Sequence, residues 1–494
     1  MGEQEMKRRE TCAALVLAVI CSALALSIAS TSSPLYAANF WTDSNLYFTI
    51  GRGMREGLMP YRDLFDHKGP LIFMLYALGA MVSDTSFLGV FLLEMVSLAA
   101  ALFWGWRTVT LYGRGTLTLA AIPLTALATV CATAFNQGGS AEEFCLPALA
   151  LGLYTALRCM RDAPSRARYA AFGAAMGWVL AIKYTDCGLF FGLGLAMALY
   201  AWRTQGFGRA VSAAMWMLLG MLAVSAPICL YLAANGVLDE MFDVYFIQNI
   251  FGYGEASMSL KAHILNALAY LRTQSIANPL VAGLAFAGCA FAVLSALHGG
   301  RKGRWIEAAA APLGAGLLLL FCYWGEMAHP YYALVFAALV PLGMIPLGWL
   351  ARRVSVRLVA VLCAAEVLCI LPLCQHLCAA VPLQAVEREA MAQTVFAQIM
   401  NQEENPTLLD LTSLDQGFYL AAGITPTCRY FANNNLNTAE KREALNGYLA
   451  QAHTMFIVTR WEDPGERYAL VAQHESPFDL NDMRAYKLYR RREE

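Results

Sequence analysis

Residues 41–70 read WTDSNLYFTIGRGMREGLMPYRDLFDHKGP and lie between two apolar runs. Joining two membrane helices needs only a short connection. This one is long and holds Asp43, Arg52, Arg55, Glu56, Asp63, Asp66, His67 and Lys68, so chemistry is expected here. Asp43 follows the aromatic pair Phe40–Trp41. A carboxylate partly shielded by aromatic rings can take a proton from an attacking hydroxyl or orient it. Asp43 is equally suited to cap a helix over 44–57. Further on, Tyr61, Asp63, Asp66, His67 and Lys68 crowd the edge of the next apolar run. His67 and Lys68 could hold a phosphate by charge-assisted hydrogen bonds, or simply snorkel at a membrane interface.

Three other polar turns carry similar groups. Asn136 to Glu143 opens an apolar run, and Glu142 and Glu143 suit sugar hydroxyls. Ser140 or Glu142 could also cap that helix. Lys183-Tyr184-Thr185-Asp186 offers an ammonium for a phosphate, or an internal ion pair between its ends. Glu326-Met327-Ala328-His329-Pro330-Tyr331-Tyr332 ends one run and opens another, and an aromatic interface belt would look the same. Glu94 and Glu366 stand inside apolar runs. Charged groups there are costly, so each should face the bundle or stay protonated.

The elements that must position these groups follow from composition. Of 494 residues, 58% are hydrophobic and 14% charged, against about 25% charged in a soluble domain. The chain therefore reads as a membrane protein. Its net charge of −1 gives no sign of nucleic-acid binding. The fourteen cysteines lie mostly in apolar runs without zinc-type spacing. They read as small buried apolar residues, and no metal or cofactor is expected.

A spanning helix needs about 20 apolar residues. Spans are predicted near 11–31, 86–106, 115–134, 143–158, 169–183, 186–202, 210–234, 278–298, 306–325, 331–350 and 358–380. The first is read as an uncleaved helix rather than a signal peptide. Basic clusters at Lys7–Arg9, Arg107/Arg114, Arg158–Arg168, Arg203/Arg209, Arg301–Arg304 and Arg352–Arg357 fix one side as cytoplasmic. The apolar segment 69–82 is short for a span and fits an interfacial or re-entrant helix. The parity then puts every suspicious polar turn on the opposite, outer side. The aromatic stretch 235–277 reads as amphipathic helix lying on the membrane. Residues 1–380 form the transmembrane part, with 32–85 as its catalytic outer loop. Residues 381–494 are polar and read as a small extracytoplasmic α/β domain. TLLDL and TMFIVTR are its buried strands, and VEREAMAQTVFAQIM has helical spacing.

The order acid, then G-R-G-x-x-x-G-x-x-P-Y-x-D-x-F-D-H-K-x-P, resembles the first outer loop of the GT-C superfamily of polyprenyl-phosphate-sugar-dependent glycosyltransferases. That group includes protein O-mannosyltransferases and lipid A aminoarabinose transferases. The likeness is strong over about 40–75 and diffuse elsewhere. It implies a helical polytopic fold in a bacterial cytoplasmic membrane, with Asp43 as catalytic base. Family members often carry two acids in succession, whereas here the second position is Ser44. The family's H/K-P-P motif falls on Lys68-Gly69-Pro70, with glycine for the first proline.

The implied reaction moves a sugar from a polyprenyl-phosphate donor to a glycan, lipid or protein acceptor, with inversion and no required metal. Lys68, His67, Lys183 and His329 are the candidates for the donor phosphate. Tyr61, Asp63, Asp66, Glu142 and Glu143 are those for sugar or acceptor. A transporter of lipid-linked sugars is the first rival, yet it should show paired broken helices in two halves, and none is evident. A non-catalytic envelope-assembly protein is the second.

Overall fold

The computed structural model describes residues 3–162, 164–251, 259–300, 302–325, 329–351, 353–433, 436, 438–461, 463–479 and 482–492. Among these, nine helices are long and apolar enough to cross a membrane, from Arg8–Ala29 to Val356–Leu377. The chain is thus a multi-pass membrane protein. All eleven predicted spans are helical. The two outside the nine are Thr116–Val130 and Arg166–Ile182, which are shorter. Helices dominate because a backbone in hydrocarbon must satisfy its own polar groups.

Lipid supplies no hydrophobic force between helices, so small residues set the close approaches. A Cβ on Gly173 would lie 1.8 Å from the carbonyl oxygen of Met217, and one on Gly220 would lie 1.9 Å from that of Ala170. This reciprocal contact locks Arg166–Ile182 against Phe207–Ala234.

The loop 32–85 folds into two short helices, Thr42–Arg55 and Pro70–Val82. The second has 13 residues, too few to cross, and buries Ile72, Phe73 and Tyr76. The turn between them is pinned from several sides. The Phe65 amide donates to the Arg429 carbonyl, and the Arg429 side chain donates to the Tyr61 carbonyl. The Gly69 amide donates to the Ile182 carbonyl at 3.0 Å. A Cβ on residue 69 would sit 2.3 Å from the Ala181 carbonyl oxygen, and proline would also lack the donated hydrogen. That explains glycine where the family pattern has its first proline.

The stretch 235–277 is helical over Leu238–Phe242, Asp243–Gln248, Asn249–Phe251 and Leu260–Ala277. Residues 252–258 lie outside the described residues. The C-terminal part forms a four-stranded sheet of order β1-β2-β4-β3. Strand β1 (Leu408–Asp410) pairs parallel with β2 (Phe456–Thr459). Strands β3 (Tyr468–Asp479) and β4 (Asp482–Arg491) form an antiparallel hairpin, and β4 also pairs with β2. The first two are the predicted strands. The hairpin is new, because its sequence is too charged to read as strand. The helix predicted over VEREAMAQTVFAQIM begins only at Ala392. This part grips the loop 32–85: the Thr49 hydroxyl donates to Asp415 at 2.6 Å, and Thr425 to Glu56 at 2.9 Å.

Candidate active site

Asp43 is the second residue of its helix, not the cap. Trp41 holds the N-cap position and makes no side-chain cap bond. The capping alternative is therefore set aside. A carboxylate in the first turn still gains from the helix dipole. Asp43 is only 8% exposed. Its Oδ2 accepts a hydrogen bond of 3.2 Å from the Tyr331 hydroxyl. The Trp41 ring meets Tyr331 edge-on at 5.0 Å. His329 stacks on Tyr331 at 5.3 Å and stands edge-on to Tyr332. The His-Pro-Tyr-Tyr run is thus part of the wall around Asp43. Glu326 to Ala328 lie outside the described residues.

Lys68 feels the charge of the same group. Burial alone would lower its pKa, but Asp43 and Asp66 together outweigh that and hold the ammonium above its usual range. Asp66 is buried, and desolvation pushes its carboxyl up to about 6 against the pull of Lys68. His67 is buried beside it, Nδ1 lying 3.4 Å from Asp66 Oδ1. Desolvation first, and then Lys68, hold its pKa well below the ordinary value. Its surroundings thus favour the neutral imidazole, whereas those of Lys68 favour the charged ammonium. The His67 carbonyl accepts from Asn249 at 2.7 Å.

Lys183 makes an ion pair with Glu142. Its Nζ also sits 3.4 Å from the centroid of the Tyr332 ring, in cation–π geometry. Asp186 acts on it more weakly, so the pairing expected within the turn is replaced by one between helices. Ser140 does cap the helix that opens at Ala141, accepting from the Glu143 amide. The capping reading of this turn thus holds on Ser140. Glu143 points back to the Gly139 amide at 2.8 Å.

Two of the predicted residues serve the loop instead. Asp63 pairs with Arg62 at 2.8 Å and accepts from the Met59 amide. Tyr61, fully buried with φ of 72°, donates to the Lys68 carbonyl at 2.8 Å. Both shape the turn that presents Lys68.

Behind Asp43 lies a polar layer that linear spacing does not reveal. Glu94 accepts from the Ser32 hydroxyl at 2.7 Å. Ser44 and Tyr76 share a hydrogen bond of 2.6 Å, and Tyr76 donates to the Gly139 carbonyl. Glu94 faces the bundle, as its cost in lipid demands. Ser44, standing where relatives have a second acid, is buried in this layer rather than free in the site.

The structure also holds an apolar cavity of about 280 Å³. Leu271, Val281, Phe286, Leu319 and Phe336 line it, with Tyr323 and Ala333. Ala333 and Phe336 belong to the segment Pro330–Leu339 that also carries Tyr331 and Tyr332.

No protein-family model and no curated protein sequence matches the chain. Solved structures do. ArnT from Cupriavidus metallidurans bound to undecaprenyl phosphate superposes with a TM-score of 0.60 at 15% identity, covering 99% of this chain and 98% of that one. The apo form of the same enzyme gives 0.62 at 15% identity, over 95% and 97%. Across its whole length, then, this chain has the fold of these ArnT structures, a GT-C-like fold of the kind its first polar loop resembles.

Proposed function

We propose that the protein is an integral-membrane glycosyltransferase that takes a sugar from a polyprenyl-phosphate donor. The carrying observation is one buried carboxylate, Asp43, set on Tyr331 and facing Lys68, with Lys183 under Tyr332 close by. A base and two ammonium groups, with an apolar cavity lined in part by the segment that carries Tyr331 and Tyr332, match the parts of such a donor. The neighbouring ArnT structure contains undecaprenyl phosphate, which supports a donor of this class.

In the proposed reaction an acceptor hydroxyl gives its proton to Asp43 and attacks the anomeric carbon. The bond from that carbon to the phosphate oxygen breaks, and the electron pair leaves with the phosphate. Lys68 and Lys183 stabilise the departing charge. A single displacement inverts the anomeric centre. The prenyl chain follows the apolar cavity beside Tyr323 and Phe336. The acceptor approaches from the outer side, where residues 381–494 form an extracytoplasmic domain over the loop 32–85. Asp66 and Glu142 orient the two lysines, and Glu143 and His329 complete the walls.

The test is transfer of radiolabelled sugar from a polyprenyl phosphate by the purified protein. Release or transfer of sugar supports an enzyme. Movement of the donor across a vesicle membrane without bond cleavage would instead favour a transporter. Near-normal turnover by the Asp43→Asn variant would refute the assignment of the base.

A further inference from the structure

Among the described residues, one group of three cysteines converges. The sulfurs of Cys131, Cys374 and Cys378 all lie within 4.8 Å of one another. Cys374 and Cys378 are one turn apart at the end of the helix Val356–Leu377, and both are buried. Cys131 closes the helix Ala121–Val130 and is half-exposed. Cys131 and Cys378 are 247 residues apart in sequence and 3.9 Å apart at sulfur. All three are free thiols. Spacing along the chain gives no hint of this, which is why these residues read as buried apolar side chains.

We infer that Cys131, Cys374 and Cys378 form a binding site for a soft thiophilic cation, monovalent copper fitting best. Three thiolates each about 2.3 Å from one ion stand about 3.8–4.0 Å apart. The Cys131–Cys378 separation already has that value, and the third sulfur needs only a small shift. Soft thiolate ligands select monovalent copper and zinc over hard cations. Zinc asks for a fourth ligand, whereas among the described residues no other His, Cys, Asp or Glu joins the three. Three sulfurs satisfy monovalent copper in trigonal geometry. The half-exposed Cys131 leaves an entry path, which a usable metal site requires.

The site would join two segments that already meet through packing and through the Cys378 thiol, which donates to the Val130 carbonyl at 3.5 Å. After Cys131 the chain runs into the turn whose Gly139 lies against Ser44 and Tyr76. After Cys378 it runs into Ala380 and Leu383, which pack on Tyr36 and Phe40. A bound ion would clamp the support behind Asp43 to the start of the C-terminal part.

The experiment uses the full chain in detergent, reduced and stripped with a chelator. Monovalent copper and, separately, zinc are then added against a competing chromophoric chelator. One copper per chain is expected, with three sulfur neighbours by X-ray absorption. Cys131→Ser and Cys374→Ser should each weaken binding by more than the roughly 10–100-fold that loss of an outer partner costs. Cys428→Ala, which removes a buried cysteine elsewhere, should leave it unchanged. Copper binding equal in Cys131→Ser and parent overturns the inference, as does retention of zinc but not copper. A Cys131–Cys378 disulfide in the protein as purified, read by peptide mass spectrometry, would also overturn it.

Discussion

Two buried ion pairs sit at opposite ends of the helix bundle, and they are built differently. At one end Arg161 meets Glu307 at 3.0 Å, with side chains 9% and 4% exposed. Its guanidinium also donates to Ser295 and lies over the Tyr112 ring at 4.0 Å. At the other end Lys183 meets Glu142 in side chains 10% and 1% exposed. There the neighbourhood is not closed. Among the described residues, Glu142 Oε2, Asp186 Oδ2, Asp66 Oδ2 and His329 Nε2 are buried without a hydrogen-bond partner. Buried polar groups are nearly always paired, and a cluster of exceptions asks for a reason. Equal burial therefore does not mean equal purpose. The Arg161 pair is a finished clamp, whereas the Lys183 pair belongs to the proposed donor site, where hydrogen-bonding capacity is left unused.

The sharpest break in that comparison is Asp43→Asn. Transfer should fall by about 10²–10⁴-fold, the usual share of a general base, while the protein stays folded and inserted. Circular dichroism and size-exclusion profiles alongside the radiolabel assay check this. Arg161→Met should do the reverse. Leaving Glu307 buried without its partner should cost about 3–5 kcal/mol of stability, with turnover per folded molecule unchanged. Unfolding in detergent, read together with activity, separates the two. If Arg161→Met lowered turnover without loss of stability, the distinction between clamp and pocket would fail.

Gly69→Ala probes how Lys68 is presented. The added methyl meets the Ala181 carbonyl, and overpacking of this kind should cost about 1–3 kcal/mol. The midpoint of thermal unfolding should drop accordingly. The smallest effect is expected from Asp66→Asn. Desolvation raises the Asp66 carboxyl to about 6 in the folded protein, above its value of about 3.9 in an unfolded chain. Its contribution to stability is thus fully present below about pH 4 and lost as the pH rises through about 6. Replacing it should make the variant more stable relative to the parent at pH 8 than at pH 4. An offset that did not change with pH would show that Asp66 does not titrate in this window.

Much of the fold was legible because lipid imposes a strong local rule. Twenty apolar residues in a row have few options besides a helix, and all eleven predicted spans are helical. The strands Leu408–Asp410 and Phe456–Thr459 were equally plain as short apolar runs. The hairpin of Tyr468–Asp479 and Asp482–Arg491 was not, because charged residues interrupt the buried ones, Tyr468, Ser476, Tyr486 and Leu488, and break the apolar run. In the loop, residue type marked Asp43 and Lys68 as a pair worth attention. It could not tell Asp63, which holds a turn, from Asp66, which is buried near Lys68.

The chain alone determined that this protein is helical, lies in a membrane, and gathers its acids, bases and aromatic rings in a few polar turns. Those are consequences of side-chain chemistry and of distances short along the backbone. Only the tertiary structure decided that Tyr331 holds Asp43, that Lys183 turns to Glu142 rather than Asp186, and that Cys131 meets Cys374 and Cys378. Each of these joins segments that no local spacing connects, from 41 to 288 residues apart. Small residues such as Gly173 and Gly220 let particular helices touch, and no local pattern records which partner a helix will meet.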